Sequence, residues 1–267
     1  MAGITASAAA SARVRSWLRR VLRFLDDFRR ALRSEAVRLG TVSLHFRLSF
    51  SAVAISALVS VAMAWVISDL SVTGASLRSQ VTWVVTGGSS FAYLPVVLAA
   101  AGGIIGALAV GTEYEHRTIL TTLAAFPRRL PIYCAKLVAA SVWSIATVVV
   151  TLFLGVVCVE TLTPYRWGTW AIPTSLALVA YVWSFTAAGV GLAALLQSQR
   201  AAIWTLLIWA FCVEPAVVGL TSALGYWGFG DIAVVVNFLP ESSGRRAIQE
   251  PFGAYNYPGV WEGTEQS

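Results

Sequence analysis

Charged residues drop out of five long stretches of the chain. They run from Arg47 to Asp69, Arg78 to Glu113, Lys136 to Glu160, Arg166 to Arg200 and Arg200 to Asp231, the last broken by one acid, Glu214. A helix needs roughly 20 apolar residues to cross about 30 Å of hydrocarbon, and each stretch is long enough. The pattern predicts spans near Phe50–Ile67, Phe91–Gly111, Leu137–Val159, Pro173–Leu196 and Ala201–Leu220. They should be helices, because an open sheet edge leaves backbone groups unsatisfied in lipid. The fold class is therefore an all-α polytopic membrane protein. A transmembrane region over 48–224 lies between an N-terminal segment, 1–47, and a C-terminal segment, 225–267.

A different periodicity precedes the first span. Val14, Trp17, Leu18, Val21, Leu22, Leu25, Phe28 and Leu32 recur every three or four residues, with Arg15, Arg19, Arg20, Arg23, Arg29 and Arg30 between them. This is an amphipathic helix suited to the headgroup layer, its Arg stems reaching outward. A cleaved signal peptide would need a continuous apolar run before a small-residue site, which is missing. An Arg-rich transit peptide fits poorly with Asp26, Asp27 and Glu35.

The connection between the second and third spans, Gly111 to Arg129, is too polar to cross lipid. Thr112 is a plausible cap, and Glu113 and Glu115 would then favour the positive end of the helix that follows. Glu113 and Arg117 have the i, i+4 spacing of an ion pair. Pro127 would stop the helix, with Arg128 and Arg129 at its negative end. Ile119, Leu123 and Phe126 share one face. The expectation is a short amphipathic helix over 112–126, held at the membrane surface; the bland alternative is a surface turn.

Composition agrees with the pattern: 57% of residues are hydrophobic and 12% charged, too little charge to cover a soluble domain. Lys and Arg counts in the short flanking segments set orientation. Ten Arg precede or open the first span, and Arg117, Arg128, Arg129 and Lys136 lie between the second and third. These segments are expected in the cytoplasm. The opposite connections carry Arg78 and Arg166 alone, and Tyr165, Trp167 and Trp170 suit an outer interfacial belt. The net charge of +6 is concentrated before the first span, so membrane lipids and cytoplasmic protein, not nucleic acid, are the expected counterparts. Cys134, Cys158 and Cys212 share no metal-ligand spacing, and His45 and His116 suggest no zinc site or triad. The expectation is no catalytic residue and no metal. Sparse lysine among many Ala and Arg points to a bacterial inner (cytoplasmic) membrane.

The run Glu113-Tyr114-Glu115-His116-Arg117-Thr118-Ile119, then Thr122-Leu123, Pro127-Arg128-Arg129 and Ala135-Lys136, resembles the type-2 permease subunits of ATP-binding-cassette (ABC) exporters. Arg33-Ser34-Glu35 ahead of the first span, Glu214-Pro215 and Leu239-Pro240 extend the resemblance over Ala31 to Ile248. It implies a coupling helix in the second-to-third connection that meets an ABC ATPase subunit, with an N-terminal connecting helix beside it. It also implies pairing with a second permease copy or a sister permease. No Gly-x-x-x-x-Gly-Lys-Ser/Thr phosphate loop occurs in the sequence, so ATP and Mg are expected on the partner ATPase and no cofactor on this chain. The family's sixth span has no counterpart, since Glu241, Arg245, Arg246, Glu250, Glu262 and Glu265 interrupt the tail. The tail is expected outside the cell, and the competing expectation is a non-transporting scaffold or assembly subunit with a shortened permease-like fold.

Two features lie within the spans. Gly102, Gly103 and Gly106 include the small-xxx-small spacing that lets helix backbones approach, within the chain or between subunits. Glu214 beside Pro215 is an acid at membrane depth, where it needs a partner, a cavity or a neutral state. It is either structural or part of a substrate pathway.

Overall fold

The computed structural model describes residues 2–41, 43–70, 94–120, 124, 129–162, 172–226 and 239. Their helices are α1 (Ala2–Thr41), α2 (Ser43–Leu70), α3 (Leu94–Glu115), α4 (Arg129–Leu162), α5 (Ile172–Leu196), α6 (Gln199–Ile208) and α7 (Glu214–Tyr226), with a π turn over Trp209–Val213. Among the described residues five segments are long and apolar enough to span a membrane: Leu44–Ala62, Pro95–Glu115, Leu130–Leu162, Ile172–Leu196 and Gln199–Thr221. The last runs from α6 through the π turn into α7. The protein is an all-α, multi-pass membrane protein, and each of the five predicted spans has its helix. The connections 71–93 and 163–171 and the tail from 227 on, including Leu239-Pro240 apart from Leu239 itself, lie outside the described residues.

The second span, α3, is the centre. Of its span residues 83% are buried, against 22% in the first span and in the fifth. Its sequence explains this: Ala99, Ala100, Ala101, Gly102, Gly103, Gly106, Ala107 and Ala109 present so little side chain that neighbours close in on every side. α5 packs along it most extensively, with α4, α6 and α2 completing the surround. Gly102 faces Val182 and Thr186, and a Cβ on Gly106 would collide with the Thr186 carbonyl. Gly189 returns the contact, against the carbonyl of Gly103. Gly102, Gly103 and Gly106 thus pack within the chain.

Apolar side chains fill the remaining space around α3. Val96, Leu98, Leu178, Phe185 and Leu206 form one group, and Ile105, Val110, Ala140, Val190 and Ala202 a second. The indole N–H of Trp143 donates to Ser49 Oγ at 2.7 Å and that of Trp183 to Ser141 Oγ at 3.1 Å. These bonds tie α4 to α2 and to α5. On the outside, Leu58, Trp65, Phe153, Leu176 and Trp204 are exposed, as expected of side chains whose solvent is lipid.

Pro215 accounts for the π turn. Proline in a helix interior lacks a donor and its ring clashes with the carbonyl four residues back. Widening the helix relieves the clash, and the Glu214 N–H accordingly donates to the Trp209 carbonyl, five residues back. Pro215 therefore leaves a local widening in a continuous helix.

Several element ends meet at one end of the bundle. α5 stops at Leu196, Gln197 takes a positive φ of 50°, and Ser198 caps α6 by accepting from the Ala201 N–H at 3.3 Å. This turn sits against α3, with Gly111 facing Gln199. Arg200 Nε lies 3.4 Å from Glu115 Oε1. α1 docks at the same end, mainly on α4.

Candidate functional site

Four charged side chains from three helices converge where α1 meets the bundle. Glu35 comes from α1. It continues the stripe of Phe28 and Leu32 at helical spacing, so an acid occupies the face that turns inward. Glu113 comes from the last turns of α3, and Lys136 from the second turn of α4. Arg38 follows Glu35 by one turn of α1. Lys136 is 0% exposed, Glu35 6% and Glu113 7%.

The Lys136 ammonium group donates to Glu113 Oε1 at 2.5 Å, to Glu35 Oε1 at 2.6 Å and to the Ala109 carbonyl at 3.1 Å. Arg38 Nη1 donates to Glu113 Oε1 at 2.8 Å and lies 3.4 Å from both Glu35 oxygens. Its Nη2 reaches Thr112 Oγ1, while that hydroxyl donates to the Leu108 carbonyl at 2.8 Å. Two carboxylates and two cations leave the cluster formally neutral. That balance makes it tolerable, since a buried unpaired charge is costly. Burial is not compensated everywhere: Glu113 Oε2 and both ring nitrogens of His45, which is 1% exposed, have no hydrogen-bond partner among the described residues.

Beside the cluster α3 ends in a Schellman motif. Thr118 N–H donates to the Glu113 carbonyl at 3.0 Å and Arg117 N–H to the Tyr114 carbonyl at 3.2 Å. Arg117, at φ 55°, holds the left-handed position where glycine is usual. This corrects the expected start of the helix over 112–126, whose residues 121–123, 125 and 126 lie outside the described residues. Thr112, Glu113, Tyr114 and Glu115 are the last turn of the second span, not the first turn of a new helix, and Thr112 does not cap one. The expected Glu113–Arg117 pair is not formed, because the chain leaves helical geometry at Arg117 and Glu113 is turned inward to Lys136 and Arg38. The helical path resumes at Ile119 and Leu120.

The remaining residues of the predicted site are dispersed. Tyr114 and Tyr133 share a hydrogen bond of 2.8 Å between their hydroxyls, joining α3 to α4. Glu115 pairs with Arg200 on the surface. His116 and Arg117 are exposed, and Ile119 is half-buried. Leu120, which periodicity did not single out, is 72% exposed. Arg129 opens α4, whereas Leu123, Phe126 and Arg128 lie outside the described residues. Glu214 is fully buried at the start of α7, away from this cluster.

Glu35, Arg38 and Lys136 were not among the predicted site residues, though the sequence carries two signals for them. Lys136 is the only lysine of the chain, placed at the mouth of the predicted third span. Glu35 is an acid on the apolar face of an amphipathic helix. Comparison with protein-family models, with characterised proteins and with solved structures finds no match to this chain.

Proposed function

We propose that the chain is the permease subunit of an ATP-driven ABC exporter. It forms the transmembrane pathway with a second copy or a sister permease, and it couples at the basic end of the bundle to separate ATPase subunits. Efflux is the direction the resemblance implies. The basic end would then face the cytoplasm, in agreement with its Arg content.

The observation that carries the reading is the position of the charge cluster. It lies directly behind the turn at His116–Thr118, within the stretch that resembles the coupling region of such permeases. A partner pressing on that turn moves the last turn of α3, which holds Glu113. Glu113 is bonded to Lys136 of α4 and Arg38 of α1, so a displacement reaches three helices at once through short bonds. ATP and Mg belong to the partner in this scheme.

Arg117 separates a role in folding from a role in contact. Glycine fits the left-handed position without strain, so Arg117→Gly keeps the turn and removes the guanidinium. If Arg117 meets the ATPase, both Arg117→Gly and Arg117→Ala should insert normally and weaken association with it. The expected loss is roughly 2–5 kcal/mol, typical of truncating a buried charge pair at an interface. The measurement is co-purification of an ABC ATPase with the tagged chain from native membranes, followed by titration of the purified subunits. Absence of any such ATPase, or unchanged affinity in both variants, would remove the support for the permease reading.

A further inference from the structure

The hydrogen bonds of the charge cluster leave out one buried neighbour, His45. It stands in the first turn of α2, fully enclosed, with neither ring nitrogen hydrogen-bonded among the described residues. Its own helix face gives its place. Leu48 and Ser49, three and four residues on, lie one turn along the same side of α2. Leu48 joins Tyr114, Tyr133 and Leu137 in the apolar group around Val110 and Ala140, and Ser49 accepts from the Trp143 indole of α4. His45 lies one turn nearer the end where α1 docks, beside the turns of α3 and α4 that supply Glu113 and Lys136. Arg38 is near enough for its charge to act on the imidazole. The elements packed on α2 are α4, α3 and α1, and each turns charge toward this level: Lys136 from α4, Glu113 from α3, Glu35 and Arg38 from α1. The Tyr114–Tyr133 hydroxyl pair lies beside them. Glu115 pairs away with Arg200, and Arg47, the other charged residue at this end of α2, is exposed.

Two carboxylates and two cations balance only while His45 is neutral. A proton on the ring adds a fifth charge to a buried set, and buried excess charge is costly. Lys136 is enclosed and cannot leave, whereas the Arg38 side chain already reaches water. Glu113 Oε2 accepts no hydrogen bond among the described residues, so it has room for a new donor, and an imidazolium donates from both nitrogens. We propose that His45 is a proton-binding site that releases α1 from α3. The proton comes from water, the imidazolium takes Glu113 in place of Arg38, and the guanidinium swings out to solvent. Charge balance returns with Glu35, Glu113, Lys136 and His45. The Arg38 bonds to Glu113 and Thr112 are lost, while the Glu35–Lys136 bond keeps α1 on α4. α1 thus pivots on α4 without leaving the bundle. The inference does not rest on the permease reading, because it needs only the cluster and His45.

The test measures the separation of α1 and α3 in the complete chain in lipid nanodiscs, by double electron–electron resonance between spin labels at Arg30→Cys and His116→Cys. Cys134, Cys158 and Cys212 are replaced by alanine. Both label sites are exposed, and His116→Cys leaves His45 the only histidine. Going from about pH 8 to about pH 5, the range over which histidine gains its charge, should lengthen and broaden the distance. With His45→Gln added, the distance should keep its high-pH value throughout. With Arg38→Gln added, it should already be long at high pH and change no further in acid. A distance that does not move with pH in the chain that keeps His45 overturns the proposal without need of either variant. A shift that persists in His45→Gln also overturns it, and assigns the proton to Glu35 or Glu113. Should His45→Gln fail to insert, Arg38→Gln decides: a further acid shift in that variant overturns the proposal, because the release would not run through Arg38. No ATPase is present, so the outcome is independent of whether one binds.

Discussion

Three oxygens surround the Lys136 ammonium group, which has three protons to donate. Two of the oxygens are carboxylates on other helices. Lys136→Met would leave Glu35 and Glu113 close together and buried, with Arg38 as their remaining cation. Breaking a buried pair by removing one partner typically costs about 3–5 kcal/mol. The expected outcome is a marked fall in the thermal unfolding midpoint of the purified protein, with partial recovery when Glu113→Gln is added to Lys136→Met. A double variant no more stable than Lys136→Met would show that the lysine acts by packing and not by charge. The sequence marked Lys136 as unusual but gave no sign of its partners. Glu35 is 101 positions away, and a contact of that separation is decided by how helices pack.

The spans were legible for a reason that belongs to elements: charge cannot be left unpaired in lipid, so its exclusion outlines each helix. Their ends were harder to read. Thr112 with Glu113 and Glu115 looks like a helix start, because threonine caps and carboxylates favour the first turn. The true terminator is Arg117 in a left-handed position where glycine or asparagine would have announced the end. The glycines of α3 were legible as close-packing positions, but only the fold assigns their partners. Gly106→Ala should push α3 from α5, since the added Cβ meets the Thr186 carbonyl, and Gly189→Ala should do the same against Gly103. Overpacking of this kind costs roughly 1–3 kcal/mol. Gly191→Ala is the control, with nothing near its Cβ. Thermal unfolding of the three variants side by side should give two falls and no fall at Gly191; equal midpoints would mean that the α3–α5 contact relaxes freely.

At the scale of the whole molecule, α1 is joined to the bundle by two kinds of attachment. Its apolar inner face and the buried Glu35–Lys136 bond hold it on α4, while Arg38 bonds it to the end of α3 through Glu113 and Thr112. Arg38 has a side chain 26% exposed, so its replacement leaves a vacancy that water reaches, and the cost to stability is far below that of losing Lys136. Arg38→Gln should therefore insert and fold, but with α3 and α1 no longer directly linked. If the permease reading holds, a non-hydrolysable ATP analogue added to the complex with the ATPase should alter hydrogen exchange at residues 129–140 of α4 and at 21–38 of α1. In Arg38→Gln the response of α4 should persist, because Glu113 still bonds Lys136. The response of α1 should fall several-fold, since its direct bonds to α3 are gone. An unchanged response of α1 would mean that motion reaches it through α4 alone, and that Arg38 stabilises the resting arrangement without carrying the signal.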